Sequence, residues 1–210
     1  MAGRFIAFEG IDGSGKSTQL RHLQRRMEEA GIPVLSTTEP TQGPIGRLIR
    51  QILSGEVRTD ERVIAPLYVA DRTDHLLNPD WGVCGALSRG VNVLMDRYYF
   101  SSYAYQTTDS VPMERIIAAN ADCAATLRPD LTVFLDLSPE EAMRRIAAGR
   151  DRREIFENLE RLKRVRDNYL EAFRRMEAVE RIVILDAAEG EAALAERIWS
   201  SVAPLFPQKD

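Results

Sequence analysis

Five apolar runs, separated by stretches with helical periodicity, recur along this chain. They lie at 5–8, 34–37, 91–95, 131–135 and 182–185. None of them alternates polar and apolar residues, as a strand with one wet face would. Continuous runs of Val, Ile, Leu and Phe are typical of strands buried on both faces, in a parallel sheet covered by helices. The pattern therefore predicts an α/β fold with a five-stranded parallel sheet flanked by helices.

The stretches between and after the runs predict eight helices, over 16–30, 44–54, 61–77, 80–89, 112–125, 138–148, 155–177 and 190–203. The start of one helix is well signalled. Ser138 can cap it, Pro139 takes the first helical position, and Glu141 completes a capping box. The chain has 210 residues and no repeat, low-complexity segment or linker. We therefore expect one domain over 1–210.

The segment between the first run and the first helix is glycine-rich. Gly10, Gly15, Lys16 and Ser17 match G-x-x-x-x-G-K-[ST], and Gly13 adds a position where the backbone can take positive φ. Amide groups of such a loop point at phosphate, at the start of a helix whose dipole favours negative charge. A glycine-rich turn with an exposed lysine is the alternative. The apolar run before it and the amphipathic helix after it favour a phosphate site.

In that site the Lys16 ammonium is expected to reach the β/γ oxygens of a nucleoside triphosphate, and the Ser17 hydroxyl to hold Mg²⁺. The predicted nucleotide-binding set is Gly10, Asp12, Gly13, Ser14, Gly15, Lys16, Ser17 and Thr18.

The overall charge argues against nucleic acid as a partner. A formal net charge of −4 gives no general attraction to a polyanion, so small phosphorylated ligands fit better. Cys84 and Cys123 lie far apart without a C-x-x-C motif, which favours buried thiols over a zinc site. The sequence shows no signal peptide and no apolar stretch near twenty residues. We predict a cytoplasmic protein without a membrane partner.

Residues just beyond the strands are further candidates, because ligands of open parallel sheets gather at the carboxyl ends of the strands. Asp96 ends the third run and is the natural second Mg²⁺ partner beside Ser17, although an Asp there can also be a plain cap. Arg97 suits a phosphate, since its charge needs an anion. Glu39 follows the second run, and Asp136 and Asp186 end the last two.

The segment 149–154 is basic and is followed by a long charged helix. Phosphoryl transfer builds up charge that one lysine and one Mg²⁺ do not fully cover, and a closing arginine can add rate. We expect Arg150, Arg152 or Arg153 to supply it from a lid at about 148–157. Most other charges here, such as Glu157 with Arg161, stand four apart as on any solvated helix.

Taken together, these residues resemble the thymidylate kinase family. The resemblance covers nearly the whole chain, and the phosphate loop alone would not single out this family. The residues that carry it are the 8–19 segment, Glu39-Pro40-Thr41, Tyr68 with Ala70-Asp71-Arg72, Asp96-Arg97-Tyr98, Ser101-Ser102, Tyr105-Gln106, Arg128-Pro129-Asp130-Leu131 and the 149–157 segment.

The resemblance implies a three-layer P-loop nucleoside-monophosphate-kinase fold and Mg²⁺-dependent transfer of a phosphoryl group from ATP to dTMP. It implies that Asp12 binds the sugar 3′-hydroxyl and aligns Arg97, which binds the acceptor phosphate. Tyr68 would stack on thymine, and Arg72 would donate to a thymine carbonyl oxygen. The remaining implied substrate residues are Ser102 and Gln106 at the edge of the base, Tyr105 at the 2′ position of the sugar, and Glu39. A homodimer is also implied.

Two departures from the family pattern matter. Gly13-Ser14 stands where many members carry a loop arginine, so the catalytic arginine should come from the lid, as in the bacterial and archaeal type. Thr38 stands where an arginine commonly precedes Glu39, and Arg47 or Arg50 is the candidate replacement for its phosphate contact. Two alternatives stay open: a kinase of another nucleotide or of a deoxynucleoside, and a P-loop ATPase switch acting on a protein partner.

Overall fold

The sheet has five parallel strands in the order β2-β3-β1-β4-β5. The computed structural model describes residues 2–146 and 152–206, and in the second range it describes side chains from 158 onward. The strands are β1 (Phe5–Glu9), β2 (Val34–Thr38), β3 (Asn92–Asp96), β4 (Leu131–Asp136) and β5 (Ile182–Asp186). The predicted parallel five-stranded sheet is confirmed.

Each strand extends one residue beyond its apolar run. Asp136 of β4 still pairs in register with Asp186 of β5, because ladder hydrogen bonds use the backbone and ignore side-chain polarity. Burial on both faces holds for β1, β3 and β4. The prediction that every strand is buried on both faces was wrong for the edge strands β2 and β5, where Leu35 and Ile184 are 39% and 49% exposed. An edge strand has a neighbour on one side only, so the helical layers cover it incompletely.

Ten α-helices fall within the described ranges. They are α1 (Lys16–Glu29), α2 (Pro44–Leu53), α3 (Ile64–Leu77), α4 (Val83–Ser88), α5 (Tyr99–Tyr105), α6 (Met113–Ala119), α7 (Ala121–Thr126), α8 (Pro139–Ile146), α9 (Arg152–Met176) and α10 (Glu191–Val202). Short 3-10 helices precede α3 at Glu61–Val63 and follow α10 at Ala203–Leu205. Helices α1 and α10 pack on each other, and α5 packs on α9.

Two helix predictions needed correction. Helix α5 was not predicted, because six of its seven residues are buried and it therefore has no polar face to mark a helical period. The single helix predicted over 112–125 is two helices that meet at Asn120. The predicted cap of α8 forms in part: Ser138 Oγ accepts from Glu141 N at 3.3 Å, while the Glu141 carboxylate pairs with Arg145 instead.

The central strand β1 brings the site together. It lies between β3 and β4, so the loop that follows it faces the ends of both neighbours. The strand is fully buried, and helix α1 starts directly after the loop. No helix in the described ranges is long and apolar enough to cross a membrane.

Candidate active site

The loop from β1 to α1 needs glycine at the positions that the motif specifies. Gly10, Gly13 and Gly15 have φ values of 151°, 82° and 91°. A Cβ on Gly10 would lie 2.6 Å from Ser14 Oγ, and one on Gly13 would lie 2.9 Å from Ala142 O. All three positions have backbone angles that strain L side chains, and at Gly10 and Gly13 a side chain would also collide with neighbouring atoms.

Lys16 is folded back over this loop. Its Nζ donates to Gly10 O and Ile11 O, both at 3.0 Å. Burial and, to a smaller extent, the charge of Arg97 lower the pKa of Lys16 to about 7, although Asp96 and Asp12 oppose the shift. The ammonium is poorly solvated here, so an anionic ligand would favour its charged form.

Ser17 and Asp96 lie together although they are 79 residues apart. Ser17 Oγ donates to Asp96 Oδ2 at 2.9 Å. The other carboxylate oxygen, Asp96 Oδ1, is buried and has no partner among the described residues. The Ser17 hydroxyl and the unpaired Asp96 Oδ1 are oxygen ligands of the kind that a hard divalent cation such as Mg²⁺ prefers.

Two cavities lie at this edge of the sheet and share part of their walls. The first, of about 430 Å³, contains the phosphate loop and is lined by Asp12, Gly13, Gly15, Lys16, Ser17, Thr18, Thr38, Glu39, Asp96 and Arg97. The second, of about 380 Å³, lies between α3, α5 and α9, and its walls include Pro40, Ile64, Tyr68, Arg72, Tyr105, Gln106 and Arg161. Asp12, Glu39 and Arg97 line both. Two ligands could therefore meet end to end.

Arg97 stands at that junction in an unusual backbone conformation. Its φ of 71° is rare for a residue with a side chain, and such outliers cluster at functional sites. Nη2 donates to Asp12 Oδ1 at 2.6 Å and to the Tyr105 hydroxyl at 3.3 Å. Burial opposes its charge, but Tyr105, Tyr169, Asp12 and Glu9 together keep the pKa of Arg97 well above its ordinary value.

Arg72 and Glu39 form a fully buried ion pair in the wall of the second cavity. Glu39 Oε2 accepts from Arg72 Nε at 2.8 Å and lies 2.6 Å from Nη2. Arg72 Nη1 donates to Ser102 Oγ and to Asn120 Oδ1. These contacts occupy four of the five N–H bonds of the guanidinium, so one remains for a ligand carbonyl. Burial opposes the charge, but the Glu39 carboxylate keeps the pKa of Arg72 above its ordinary value.

The other residues expected to bind the acceptor divide into two groups. Tyr68, Tyr105 and Gln106 line the second cavity, and Gln106 Oε1 is buried without a partner among the described residues. Burial raises the pKa of Tyr105 to about 12, so its phenol stays neutral. Ser102 does not line the cavity: it is buried and supports Arg72 instead.

The arginines considered as replacements at the β2 loop do not line either cavity. Arg50 Nη1 donates to Pro40 O at 2.9 Å, and Arg47 Nη1 donates to Gln42 O at 3.1 Å. Both therefore brace the backbone of the loop. Thr38 lines the phosphate cavity and donates to Asp96 O at 3.1 Å.

The expected lid arginines lie outside what the structure describes. Arg150 falls within 147–151, and the side chains of Arg152 and Arg153 precede residue 158. Asp136 and Asp186, noted at strand ends, have partners away from both cavities: Asp136 binds Arg166, and Asp186 Oδ1 accepts from Ala188 N.

Several residues of the site gave no usable signal in the sequence. Asn120 lies at a helix junction that periodicity did not reveal, yet it binds Arg72. His75 Nδ1 lies 3.2 Å from Glu39 Oε1. Tyr169 and Arg161 belong to the long charged helix α9, where a polar residue is usually exposed to solvent. Their positions are set by how α9 packs on α5, which spacing along one helix does not predict.

The parallel sheet, the glycine loop under Lys16 and a second cavity that ends on Arg97 define a class of protein. They are the features of a P-loop protein with the nucleoside-monophosphate-kinase fold.

The comparison with protein families gives the particular family. The family model described as thymidylate kinase matches residues 8–198, and the chain belongs to this family. It is 38% identical over 165 residues to the thymidylate kinase of Leptospira borgpetersenii, covering 79% of this chain and 78% of that one. It is 37% identical over 206 residues to the thymidylate kinase of Akkermansia muciniphila, covering 98% and 94%. The corresponding figures for the probable thymidylate kinase of Pyrococcus horikoshii are 40% over 175 residues, covering 81% and 82%.

Proposed function

We propose that this chain transfers the γ-phosphoryl group of ATP to dTMP, giving ADP and dTDP. The observation that carries the proposal is the junction of the two cavities at Asp12, Glu39 and Arg97. A triphosphate bound by the loop would end there, and so would the phosphate of a nucleotide in the second cavity. Family membership supports dTMP as that nucleotide.

Catalysis in this proposal comes from positioning and charge. The acceptor phosphate is already an ionised nucleophile, so no general base is needed. Lys16 stabilises charge on the transferred group, while Arg97 holds the acceptor phosphate in line with it. Ser17 and Asp96 would hold Mg²⁺, which supplies positive charge that offsets the charge of the triphosphate. The unpaired Asp96 Oδ1 supports that assignment.

The second cavity offers the groups that a pyrimidine requires. Tyr68 lines the cavity with a flat ring on which a base would stack, and the remaining N–H of Arg72 would donate to a carbonyl oxygen of the base. Gln106 Oε1 is a buried acceptor in need of a donor, and N3–H of thymine is one. Tyr105 crowds the sugar and favours deoxyribose.

The lid completes this proposal. At least one of Arg150, Arg152 and Arg153 stabilises the transferred phosphoryl group when the lid closes. Among the described residues that line the phosphate-loop cavity, the cations are Lys16 and Arg97, and Arg97 is assigned to the acceptor phosphate. Single alanine variants test this. The alanine variant that removes the catalytic arginine should lower kcat far more than it raises the KM for dTMP. Three variants with unchanged kcat would contradict it.

An ADP-release assay across dTMP, dUMP, dCMP, dGMP and thymidine tests the acceptor. We expect dTMP to give the highest kcat/KM. Faster turnover of another nucleotide or of thymidine would assign a related kinase instead. Stimulation by a protein and by none of these acceptors would indicate an ATPase switch. The implied homodimer stays a prediction, which light scattering of the purified protein would check.

A further inference from the structure

Two hydroxyl groups behind Arg97 meet the same buried carboxylate. Arg97 Nη1 donates to Ser101 Oγ at 3.1 Å and to the Tyr169 hydroxyl at 3.4 Å. Ser101 Oγ in turn donates to Glu9 Oε2 at 2.6 Å, and the Tyr169 hydroxyl donates to the same oxygen at 2.8 Å. Glu9, Ser101 and Tyr169 are 0%, 7% and 0% exposed, so water does not compete for these bonds.

The direction of each hydrogen bond follows from the chemistry of the groups. A carboxylate only accepts, a guanidinium only donates, and a hydroxyl has a single hydrogen. When Ser101 and Tyr169 give their hydrogens to Glu9, their lone pairs remain for Arg97. The two hydroxyl oxygens also lie 2.8 Å from each other, so Glu9, Ser101, Tyr169 and Arg97 form one connected network.

Glu9 is surrounded by groups that favour its charged form. Burial raises the pKa of Glu9, and the donors from Ser101, Tyr98 N and Tyr169 and the charge of Arg97 oppose that rise in part. A charge on Glu9 also raises the pKa of Lys16. Glu9 lines neither cavity, and neither does Tyr169. Neither residue therefore has a direct place in the proposed reaction.

We propose that Tyr169 is a positioning residue for the acceptor phosphate. With Ser101 and Glu9 it fixes the guanidinium of Arg97 at the junction of the two cavities. The proposal rests on the assignment of a nucleoside monophosphate to the second cavity. It extends that assignment to helix α9, which contains none of the acceptor residues expected from the sequence.

The need for such support comes from Arg97 itself. An arginine has several rotatable bonds, and ordering it costs side-chain entropy unless fixed partners hold it. Nη2 contacts Asp12, whose side chain is 58% exposed to solvent, and the Tyr105 hydroxyl, while Nη1 also donates to Gly10 O at 3.3 Å. Ser101 and Tyr169 hold Nη1 from the buried side, so the phosphate meets a guanidinium that is already oriented.

The test compares Tyr169→Phe with a matched control, Tyr99→Phe. Tyr99 is also buried, and its hydroxyl donates at 2.6 Å to Oε1 of Glu180, a carboxylate that is 3% exposed and also pairs with Arg128. That bond lies away from Arg97. Both variants therefore lose one hydroxyl donor to one buried carboxylate, and we expect both to lose some thermal stability.

The readout is calorimetric binding of dTMP and of thymidine, which has the same base and sugar without the phosphate. Tyr169→Phe should weaken dTMP binding roughly fivefold to tenfold, the effect of one hydrogen bond, and leave thymidine binding within about twofold. Tyr99→Phe should change neither affinity. Ser101→Ala, which removes the second hydroxyl, should reproduce the dTMP-specific loss.

Each contrary result has a clear meaning. Equal weakening of dTMP and thymidine by Tyr169→Phe, or equal effects of the two Phe variants, would overturn the positioning role. Unchanged dTMP binding in both Tyr169→Phe and Ser101→Ala would overturn it as well. If Tyr169→Phe does not fold, the Ser101→Ala result decides alone. A wild-type protein that neither binds nor phosphorylates dTMP would instead overturn the proposed function.

Discussion

Arg97 Nη2 lies 2.6 Å from Asp12 Oδ1, and this pair joins the two cavities of the protein. Asp12 belongs to the phosphate loop and Arg97 follows β3, so strand order in the sheet brings them together across 85 residues. A half-exposed carboxylate neutralises the arginine before any ligand arrives. An incoming phosphate can compete with Asp12 for the guanidinium, because the pair is open to solvent and therefore weak.

Lys16→Met should abolish turnover while the fold remains. The methionine keeps the length of the side chain and removes the charge that faces the transferred phosphoryl group. We expect kcat to fall by roughly 10³-fold or more, as for other groups that stabilise transition-state charge. Steady-state kinetics checks this. Unchanged dTMP binding is the control for an intact second cavity, and near-normal kcat would contradict the assigned role.

ATP binding should take up a proton at Lys16. With a pKa of about 7, the buried amine is mostly neutral at about pH 8 in the free protein, and an anionic triphosphate favours the charged form. Calorimetry in buffers of different ionisation enthalpy should show uptake of about one proton at that pH, and little at about pH 6. Lys16→Met should remove the uptake. Proton release by wild type would contradict this pKa.

The lowered pKa of Lys16 also predicts how the stability of the ligand-free protein depends on pH. Between pH 7 and 10.5 the folded state binds fewer protons at Lys16 than the unfolded chain, whose lysine has its ordinary pKa of 10.5. The contribution of Lys16 to the free energy of unfolding therefore rises with pH across this window. Urea titrations of wild type and Lys16→Met should differ in slope against pH. Parallel curves would contradict the prediction.

Asp96→Asn should raise the Mg²⁺ requirement. The substitution keeps the shape of the side chain but removes the charge of the carboxylate that Ser17 contacts. We expect half-maximal activity at a Mg²⁺ concentration roughly tenfold higher, because outer partners of a metal typically contribute 10–100-fold. Asp186→Asn is the control, since Asp186 also ends a strand at this edge but binds Ala188 N. Equal effects in the two variants would argue against a metal role.

The Arg72–Glu39 pair should be costly to break from one side. Arg72→Met leaves the Glu39 carboxylate buried next to His75 without its guanidinium partner. Breaking a buried ion pair from one side in this way costs about 3–5 kcal/mol of folding stability. Arg72→Met with Glu39→Gln should lose less than Arg72→Met alone, which urea unfolding would measure. Losses that simply add would show that the pair is uncoupled.

Arg161→Met should weaken dTMP binding through charge alone. Its guanidinium carbon lies 6.0 Å from the centre of the Tyr105 ring, and the side chain lines the second cavity. The expected loss is roughly threefold to fivefold at low salt and shrinks as salt is added, since the group is exposed. Arg164→Met is the control, because Arg164 lies about one turn further along α9 and does not line the cavity. Similar losses in both variants would indicate a nonspecific field effect.

Much of the fold follows from local patterns in the sequence. The five strands were predicted because buried parallel strands are continuously apolar, and the phosphate loop because only glycines allow its backbone angles. Helix α5 escaped prediction since it is buried on almost all sides, and the break at Asn120 interrupts no apolar period. The polar last residue of each strand was missed because the backbone continues to pair after the side chains change character.

The sequence by itself determined the sheet, the phosphate loop and the residue types at the strand ends. The family resemblance pointed to most of the acceptor set. Only the tertiary structure decided that Ser102 supports Arg72 from behind, that Arg50 braces the Pro40 backbone, and that Tyr169 reaches Glu9 across 160 residues. Local patterns record the preferences of neighbouring residues. These contacts depend on how whole helices pack on the sheet, which spacing along the chain does not contain.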